Sequence, residues 1–479
     1  MKLFKTIFKL FLMLSAVVTV LLFYGCIEED VTDNAQSTEN NTTSIENVTS
    51  PESDQSNSPF IFTLNSNGQS YMVAGKDQGS DIELVIPETY NGLPVTEITD
   101  RGFSACKYTS VIIPSTITKI GSDAFQSSVN LKSILIPSSV TQIGKYAFYN
   151  CISLESVELS PSIETIEEHT FSSCVSLKSI EIPSGVRFVE SGAFSSCSLL
   201  SSIYISKTVE KLNNPFRWSE SIENITIDKE NTFFIFYNNC LIEKSSKTLL
   251  IGLKDAVIPN DGSVEIIGQS AFAKRITVPD VVIPEGVTHI DTQAFEDVET
   301  LLTVTFPSTL KTLGESVFSG CENLIEVKFS EGIEDLPLHS FSQCKNLKEV
   351  ILPSTLKTIG HYAFSQSGLK SVTIPQNVTT IGESAFYECR NLTEVFVSGN
   401  TMVIEKQAFS YCSQMKTLNL PASLVKICEY AFSGCTKLTQ ISYEGTSQEW
   451  IQIIKGYKWG ENIGTSYVKC SDKTIERGY

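Results

Sequence analysis

LKSILIPSSVTQIGKYAFYNCISL, from Leu131 to Leu154, is the stretch whose reading decides the fold. Ile134, Leu135 and Ile136 are strand formers. Alternation of side chains along an extended chain turns Leu131, Ile134 and Ile136 inward and Ser133 and Leu135 outward. Pro137 follows and has no N–H to give a ladder, so the strand stops there. Val140, Ile143, Ala147 and Phe148 then have to bring the chain back on itself. The pattern does not say whether that return is irregular or made of short helical pieces. One such loop cannot enclose its own Leu, Ile and Phe, whereas stacked copies can, with strands ~4.8 Å apart in a parallel sheet.

Copies are present. Leu347 to Leu369 reads LKEVILPSTLKTIGHYAFSQSGL. The common template is L-x-x-I-x-I-P-x-x-V/L-x-x-I-G-x-x-A-F-x-x-C. Its phenylalanines are Phe103, Phe125, Phe148, Phe171, Phe194 and Phe216, then Phe272, Phe295, Phe318, Phe341, Phe364, Phe386, Phe409 and Phe432. They are 22 or 23 residues apart except between Phe216 and Phe272. Each buried Phe should contribute ~1.5–3 kcal/mol relative to exposure, so in register they would form a continuous spine. The glycine of the I-G pair suggests a positive-φ turn, yet Glu167, Glu190 and Asp291 take its place in other units.

Three regions depart from the period. Phe60 to Asp81, with Asn67-Gly68 between apolar runs, predicts a β-hairpin over the first coil. Ile227 to Pro259 lacks the A-F-x-x-C half and carries Phe233, Phe234, Phe236, Leu241 and Ile242, which predicts an inserted hairpin. Tyr443 to Tyr479 contains Trp450 and Trp459 and reads as a carboxy-terminal cap.

Ahead of the repeats, Lys2, Lys5 and Lys9 precede an apolar run from Leu10 to Tyr24, the layout of a secretory signal. Gly25-Cys26 follows and resembles a lipobox, with Phe23 where leucine is usual. The two readings are lipidation at Cys26 and an uncleaved membrane anchor, and both place the remainder outside the cytoplasmic membrane. Between Val31 and Ser58, 16 of 28 residues are Ser, Thr or Asn, with five acids and no base. Such a stretch buries too little to offset chain entropy and is expected to be a disordered tether. The organisation expected is therefore a leader 1–26, a linker 27–58, a first cap and repeat 59–109, a solenoid 110–442 with an irregular hairpin unit near 228–259, and a cap 443–479.

The I-P-S-x-V-T-x-I-G-x-x-A-F-x-x-C unit resembles the BspA-like class of leucine-rich repeats. The resemblance runs from about Phe60 to Tyr479 and includes Tyr90-Asn91-Gly92-Leu93-Pro94-Val95 and Tyr443-Glu444-Gly445-Thr446 with Glu449-Trp450. It implies an α/β-type repeat solenoid with one parallel β-sheet and short irregular or helical returns, capped at both ends. It also implies an exported, surface-tethered protein engaged in adhesion, and no catalytic residue.

Residue chemistry points the same way. The formal net charge of −18 would repel nucleic acid or an anionic bilayer. Nine cysteines sit three residues after a repeat Phe: Cys106, Cys151, Cys174, Cys197, Cys321, Cys344, Cys389, Cys412 and Cys435. They lack paired zinc-ligand spacing, and Ser128, Arg275, Val298 and Ser367 replace them elsewhere, so buried free thiols are expected. His169, His289, His339 and His361 have no evident catalytic partner. No metal, cofactor or small-molecule substrate is therefore expected. The expected partner is a protein or glycan at the cell surface, with the membrane reached only through the amino-terminal anchor. A structural envelope component without a dedicated ligand is the alternative.

The outward strand positions run Leu135, Glu158, Glu181, Tyr204, Thr305, Lys328, Ile351, Thr373, Phe396, Asn419 and Ser442, flanked by Glu326, Glu349 and Glu394. β-formers could fill these slots merely to favour strands. Exposed aromatics among acids instead suggest a binding stripe, with Glu158, Glu181, Tyr204, Glu326, Glu349 and Phe396 as its candidates.

Overall fold

The computed structural model describes residues 58–76, 82–275 and 277–477. The leader with Cys26, and all of the linker but its last residue, lie outside them.

A regular coil holds two short strands, the first reduced to a bridge at Ile351 in the coil from Leu347 to Leu369. In the coil quoted above these are Ser133–Leu135 and Gln142–Ile143. Ser133 and Leu135 are exposed and Ile134 is buried, as the alternation requires. The first strands of successive coils pair in parallel, as Ser133–Leu135 does with Ser156–Glu158. The two-residue strands pair in a ladder of their own, for example Lys119–Ile120 with Gln142–Ile143. The expectation of one sheet is thus corrected to two parallel ladders on each coil. A Thr-Ile or Gln-Ile pair is too short to show alternation, which is why it reads as part of a turn.

The α/β expectation is corrected as well, because the returns are not helical. Among the described residues the one α-helix is Ser447–Gln452, with Thr446 and Glu449 forming a capping box. The return is a chain of turns that alternate their hydrogen bonds. Ala147, Tyr149 and Cys151 donate backward to Gly144, Tyr146 and Phe148. Tyr146, Phe148 and Asn150 donate across to Glu168, Thr170 and Ser172 of the next coil. Every backbone donor in the run is therefore used without a helix.

That alternation forces left-handed backbone at two positions per coil, here Tyr146 (φ 58°) and Asn150 (φ 59°). A non-glycine residue there costs roughly 1–2 kcal/mol, which the bonds between coils offset. The expected positive φ at the I-G glycine is not found. Gly144 matters for another reason: a Cβ there would come within 2.5 Å of the Ser122 nitrogen in the coil before.

The phenylalanines stack as a spine. Ring centroids from Phe103 to Phe216, and again from Phe272 to Phe432, are 4.9–5.6 Å apart with planes within 15° of parallel. This spacing follows the strand spacing and gives offset-stacked aromatics.

Between Phe216 and Phe272 the spine stops. Three antiparallel strands, Phe234–Tyr237, Cys240–Glu243 and Thr248–Gly252, fill the gap. All four residues of the middle strand are buried. Cys240 and Ile242 belong to the core that continues to the carboxy terminus, and Leu241 to the core before it. The insert is thus a wall covered on both faces. Gly252 faces the first ring of the restarted spine, since a Cβ there would fall inside Phe272.

At the amino-terminal end the hairpin is present as Phe60–Leu64 and Tyr71–Gly75, antiparallel, with Gly68 at φ +67° in its turn. Its second strand pairs with Leu93–Ile98, and Phe60 meets Phe103 edge-on at 6.3 Å. At the other end Trp450 and Trp459 are buried beside Phe432.

Candidate interaction surface

The first-strand ladder presents one residue per coil at its centre, and the wall divides that row in two. Before the wall, Val85 lies opposite Ile112, whose neighbour in the next strand is Leu135, and Leu135 lies opposite Glu158. Glu181 lies opposite Tyr204, and Tyr204 opposite Thr226. Val85, Ile112 and Leu135 are 54%, 48% and 58% exposed, three aliphatics in consecutive coils. After the wall the row runs Val282, Thr305, Lys328 and Ile351, then Thr373, Phe396, Asn419 and Ser442. Ile351 is 86% and Phe396 41% exposed. Thr and Lys separate the apolar members there.

The six candidates therefore fall into two groups. Glu158, Glu181 and Tyr204 occupy the same column in three successive coils. Glu326 and Glu349 are exposed in adjacent coils, with Phe396 two coils beyond Glu349, so the second trio is spread out. Tyr204 donates its hydroxyl to Asp228 at 2.9 Å, and that bond raises the phenol above its usual range. Glu326 reaches Lys328 at 3.5 Å. Among the described residues no ion pair engages Glu158, Glu181 or Glu349. Val85 and Ile112 were missed in the sequence because their coils precede the first full copy of the template.

Catalytic geometry does not emerge around the histidines. His169 stacks on Tyr146 at 5.0 Å and His339 on Tyr362 at 4.8 Å, and burial lowers both imidazoles below the ordinary value. Among the described residues no group of three His, Cys, Asp or Glu is placed to hold a metal ion.

The cysteines have a structural task. All twelve described thiols are free and buried. Eight of the nine in the ladder donate to the phenylalanine carbonyl one coil back, as Cys151 does to Phe125 at 3.1 Å and Cys344 to Phe318 at 3.2 Å, while Cys106 in the first coil donates to the Ser128 hydroxyl at 3.2 Å. Ser128 and Ser219 make the same bond to Phe103 and Phe194. The shared requirement is a small side chain with a donor, which explains the Cys-to-Ser exchange. Burial pushes Cys151, Cys197 and Cys321 up, to about 12. Arg275 stands in the same slot after the wall and reaches back to the carbonyls of Phe216 (2.6 Å) and Ser219 (3.2 Å).

No helix among the described residues is long and apolar enough to cross a membrane. A comparison with curated proteins finds no match. Among solved structures the chain is similar to a leucine-rich cell surface protein from Faecalibacterium prausnitzii, at 27% identity and a TM-score of 0.50, over 84% of this chain and 97% of that one. It is also similar to a leucine-rich repeat protein from Bacteroides ovatus, at 25% identity and a TM-score of 0.53, over 77% of this chain and 94% of that one. No catalytic family is indicated. The model of the BspA type leucine rich repeat region matches residues 96–223, 250–370 and 357–456, in six copies, and the chain belongs to that family.

Proposed function

We propose that this chain is a surface-tethered scaffold that captures a macromolecular partner through its outward strand column. The observation that carries the reading is the run Val85, Ile112 and Leu135 followed by Glu158 and Glu181. Three aliphatics exposed in register, bordered by carboxylates without ion pairs, exceed what a solvated sheet face requires. A partner that fits has an apolar ridge with basic groups beside it, a protein before a glycan. Tyr204, fixed by Asp228, is an aromatic anchor of the kind that dominates interface energies. Glu326, Glu349 and Phe396 form a second, sparser contact.

In this reading the leader 1–26 directs export and anchors the chain, with Cys26 as the lipidated residue and an uncleaved anchor as the alternative. The linker 27–58 is the tether. The hairpin within 59–109 and the segment 443–479 act as caps, since each covers an end of the Phe spine with aromatic side chains, and 110–442 is the presenting solenoid. The neighbour from F. prausnitzii is itself described as a cell surface protein, which supports the same location here.

Capture from host or community surface extracts tests the reading, with the wild type beside a variant in which Glu158, Glu181, Tyr204, Glu326, Glu349 and Phe396 are replaced by serine. The folded variant should lose the partners that the wild type retains. Equal capture by both would remove the stripe as the site. Mass spectrometry of the native amino terminus tests the anchor. A mature chain that still begins at Met1 would end the lipidation claim.

A further inference from the structure

The two ends of the solenoid are cut in complementary steps. At the amino-terminal end, the head, the first complete coil holds Glu83–Val85 and Leu93–Ile98. The second ladder continues two strands beyond that coil, through Tyr71–Gly75 and Phe60–Leu64. The first-strand ladder stops at Glu83–Val85. At the carboxy-terminal end, the tail, the last complete coil holds Gln440–Tyr443 and Ile454–Lys455. Here the first-strand ladder continues two strands further, through Tyr467–Lys469 and Thr474–Glu476, and the second ladder stops at Ile454–Lys455. Each end thus projects by two strands, ~10 Å at the strand spacing, on the ladder where the other end is recessed.

The backbone shows what those edges offer. Ile82 accepts from Thr109 and Ser110, and Ile86 donates to Ile112, so Glu83 and Val85 turn their N–H and C=O away from the ladder. Cys470 and Arg477 donate to Lys473 and Ser466, so Thr474 and Glu476 do likewise. On the second ladder Asn65 and Lys76 donate to Ser70 and Pro59, which turns Phe62 and Leu64 outward. Ile454 and Gly456 donate to Val425 and Ile427, which turns Lys455 outward. Among the described residues none of these outward groups has a backbone partner. An unpaired edge is a template for another strand. Glu83–Val85 and Ile454–Lys455 run with the coils, whereas Thr474–Glu476 and Phe60–Leu64 run against them. Stacking a tail on a head therefore makes both new pairings antiparallel, the more stable kind.

Charge and apolar surface agree. The described residues of 58–98 carry three acids and one base, whereas 453–477 carries five bases and three acids. On a chain of net charge −18 the tail is a local reversal of sign. Head and tail attract, while two heads or two tails repel. Phe60 and Phe62 at the head and Ile475 at the tail are only half-buried, and exposed Ile61 and Ile454 stand on strands that would meet.

We infer that copies of this chain join head to tail, the tail step of one seating in the head step of the next so that both ladders run on through the joint. The joint uses two different surfaces of the molecule, so it propagates as a filament unless its rotation closes a ring. It is made by ladder edges at the ends of the solenoid, and the inference does not rest on the partner reading above.

Sedimentation velocity on the full chain tests it, in detergent to hold the apolar run Leu10 to Tyr24. The wild type should grow from monomer to dimer and longer species between roughly 1 μM and 1 mM, and added salt should weaken that growth. Glu83→Pro removes an outward N–H of the head and Glu476→Pro one of the tail, and neither N–H serves its own ladder. Each variant alone should associate about tenfold or more weakly than the wild type, as loss of ladder hydrogen bonds implies. An equimolar mixture of the two should recover a dimer and nothing longer, because the intact tail of one seats on the intact head of the other. Should a proline variant lower the melting temperature, Glu83→Lys at the same exposed position should still weaken association through its charge. The six-residue stripe variant should associate as the wild type does. A wild type that stays monomeric throughout, either proline variant associating as the wild type does, or a mixture no larger than its components would overturn the inference. Dimers of Glu476→Pro alone would mean that heads meet heads, and would overturn it too.

Discussion

The coils before and after the wall obey one template yet differ in how they continue. From Phe103 to Phe216 and from Phe272 to Phe432, register passes from coil to coil through stacked rings and a donor in the cysteine slot. Across the wall the rings do not stack, and the donor in the cysteine slot is the longer Arg275. The two stacks are joined there by a sheet buried on both faces and by the reach of Arg275 to Phe216 and Ser219. A repeat array is stabilised by nearest neighbours, so a break in the neighbour pattern should be a break in cooperativity. The same break divides the outward column into an apolar-acidic half and a sparser half.

Phe318→Ala breaks the comparison most strongly. Loss of a fully buried ring should cost about 3–5 kcal/mol. The loss should appear in hydrogen exchange as opening of the coils around Gly314 to Val327, with protection near Phe125 to Phe194 unchanged. Unchanged exchange around Gly314 to Val327, or equal loss in both stacks, would show that the array does not respond by neighbours.

Arg275→Met addresses the joint itself. It leaves the buried Phe216 and Ser219 carbonyls without this donor, at a cost of roughly 1–3 kcal/mol. Thermal or urea unfolding should then separate into two transitions, one for each stack. A single sharp transition, merely shifted, would mean that the wall alone couples them.

The cysteine slot gives a smaller effect. Cys151→Ser should be tolerated, since Ser128 and Ser219 already make that bond, whereas Cys151→Ala should cost about 1 kcal/mol through the lost donor. Cys151→Ser no better than Cys151→Ala in a melting experiment would remove the donor requirement. The thiols also set a pH dependence. Burial raises the pKa of Cys151, Cys197 and Cys321 on folding, to about 12 from an ordinary value of 9.0. The folded state therefore favours the protonated form. That contribution is whole below pH 9 and is lost as pH rises toward 12. Stability measured across this window should fall, and fall less steeply in a chain with these three residues changed to serine. Thiol labelling of the native chain at neutral pH should be slow, and complete in denaturant without reductant. Near-zero labelling in denaturant would show disulfides instead.

Much of this was legible in the sequence. The inward set Leu131, Ile134, Ile136 and Phe148, the terminal hairpin at Asn67-Gly68 and the outward column from Leu135 to Ser442 follow from period and alternation. The return could not be read, because its left-handed positions are filled by Tyr146, Asn150, His169 and Ser173 and carry no glycine signature. Alternate bonding to the next coil holds them there, and a single unit does not reveal that. The wall was seen as a hairpin because its third strand, Thr248–Gly252, continues directly into the repeat. The last coil escapes the period because Trp459-Gly460 stands in the Ala-Phe slot, with the Phe432 N–H donating to the Trp459 carbonyl. The apolar end of the column, Val85 and Ile112, lay outside the copies that defined the template.

The difference between the two halves of the column is the part of the account that bears on function. Hydroxyl-radical footprinting of the chain, free and with a captured partner bound, measures it directly at side chains. The account predicts that Ile112, Leu135 and Tyr204 become protected, with weaker protection at Phe396 and Ile351. Protection confined to Ile351 and Phe396, or to side chains off the column altogether, would contradict it.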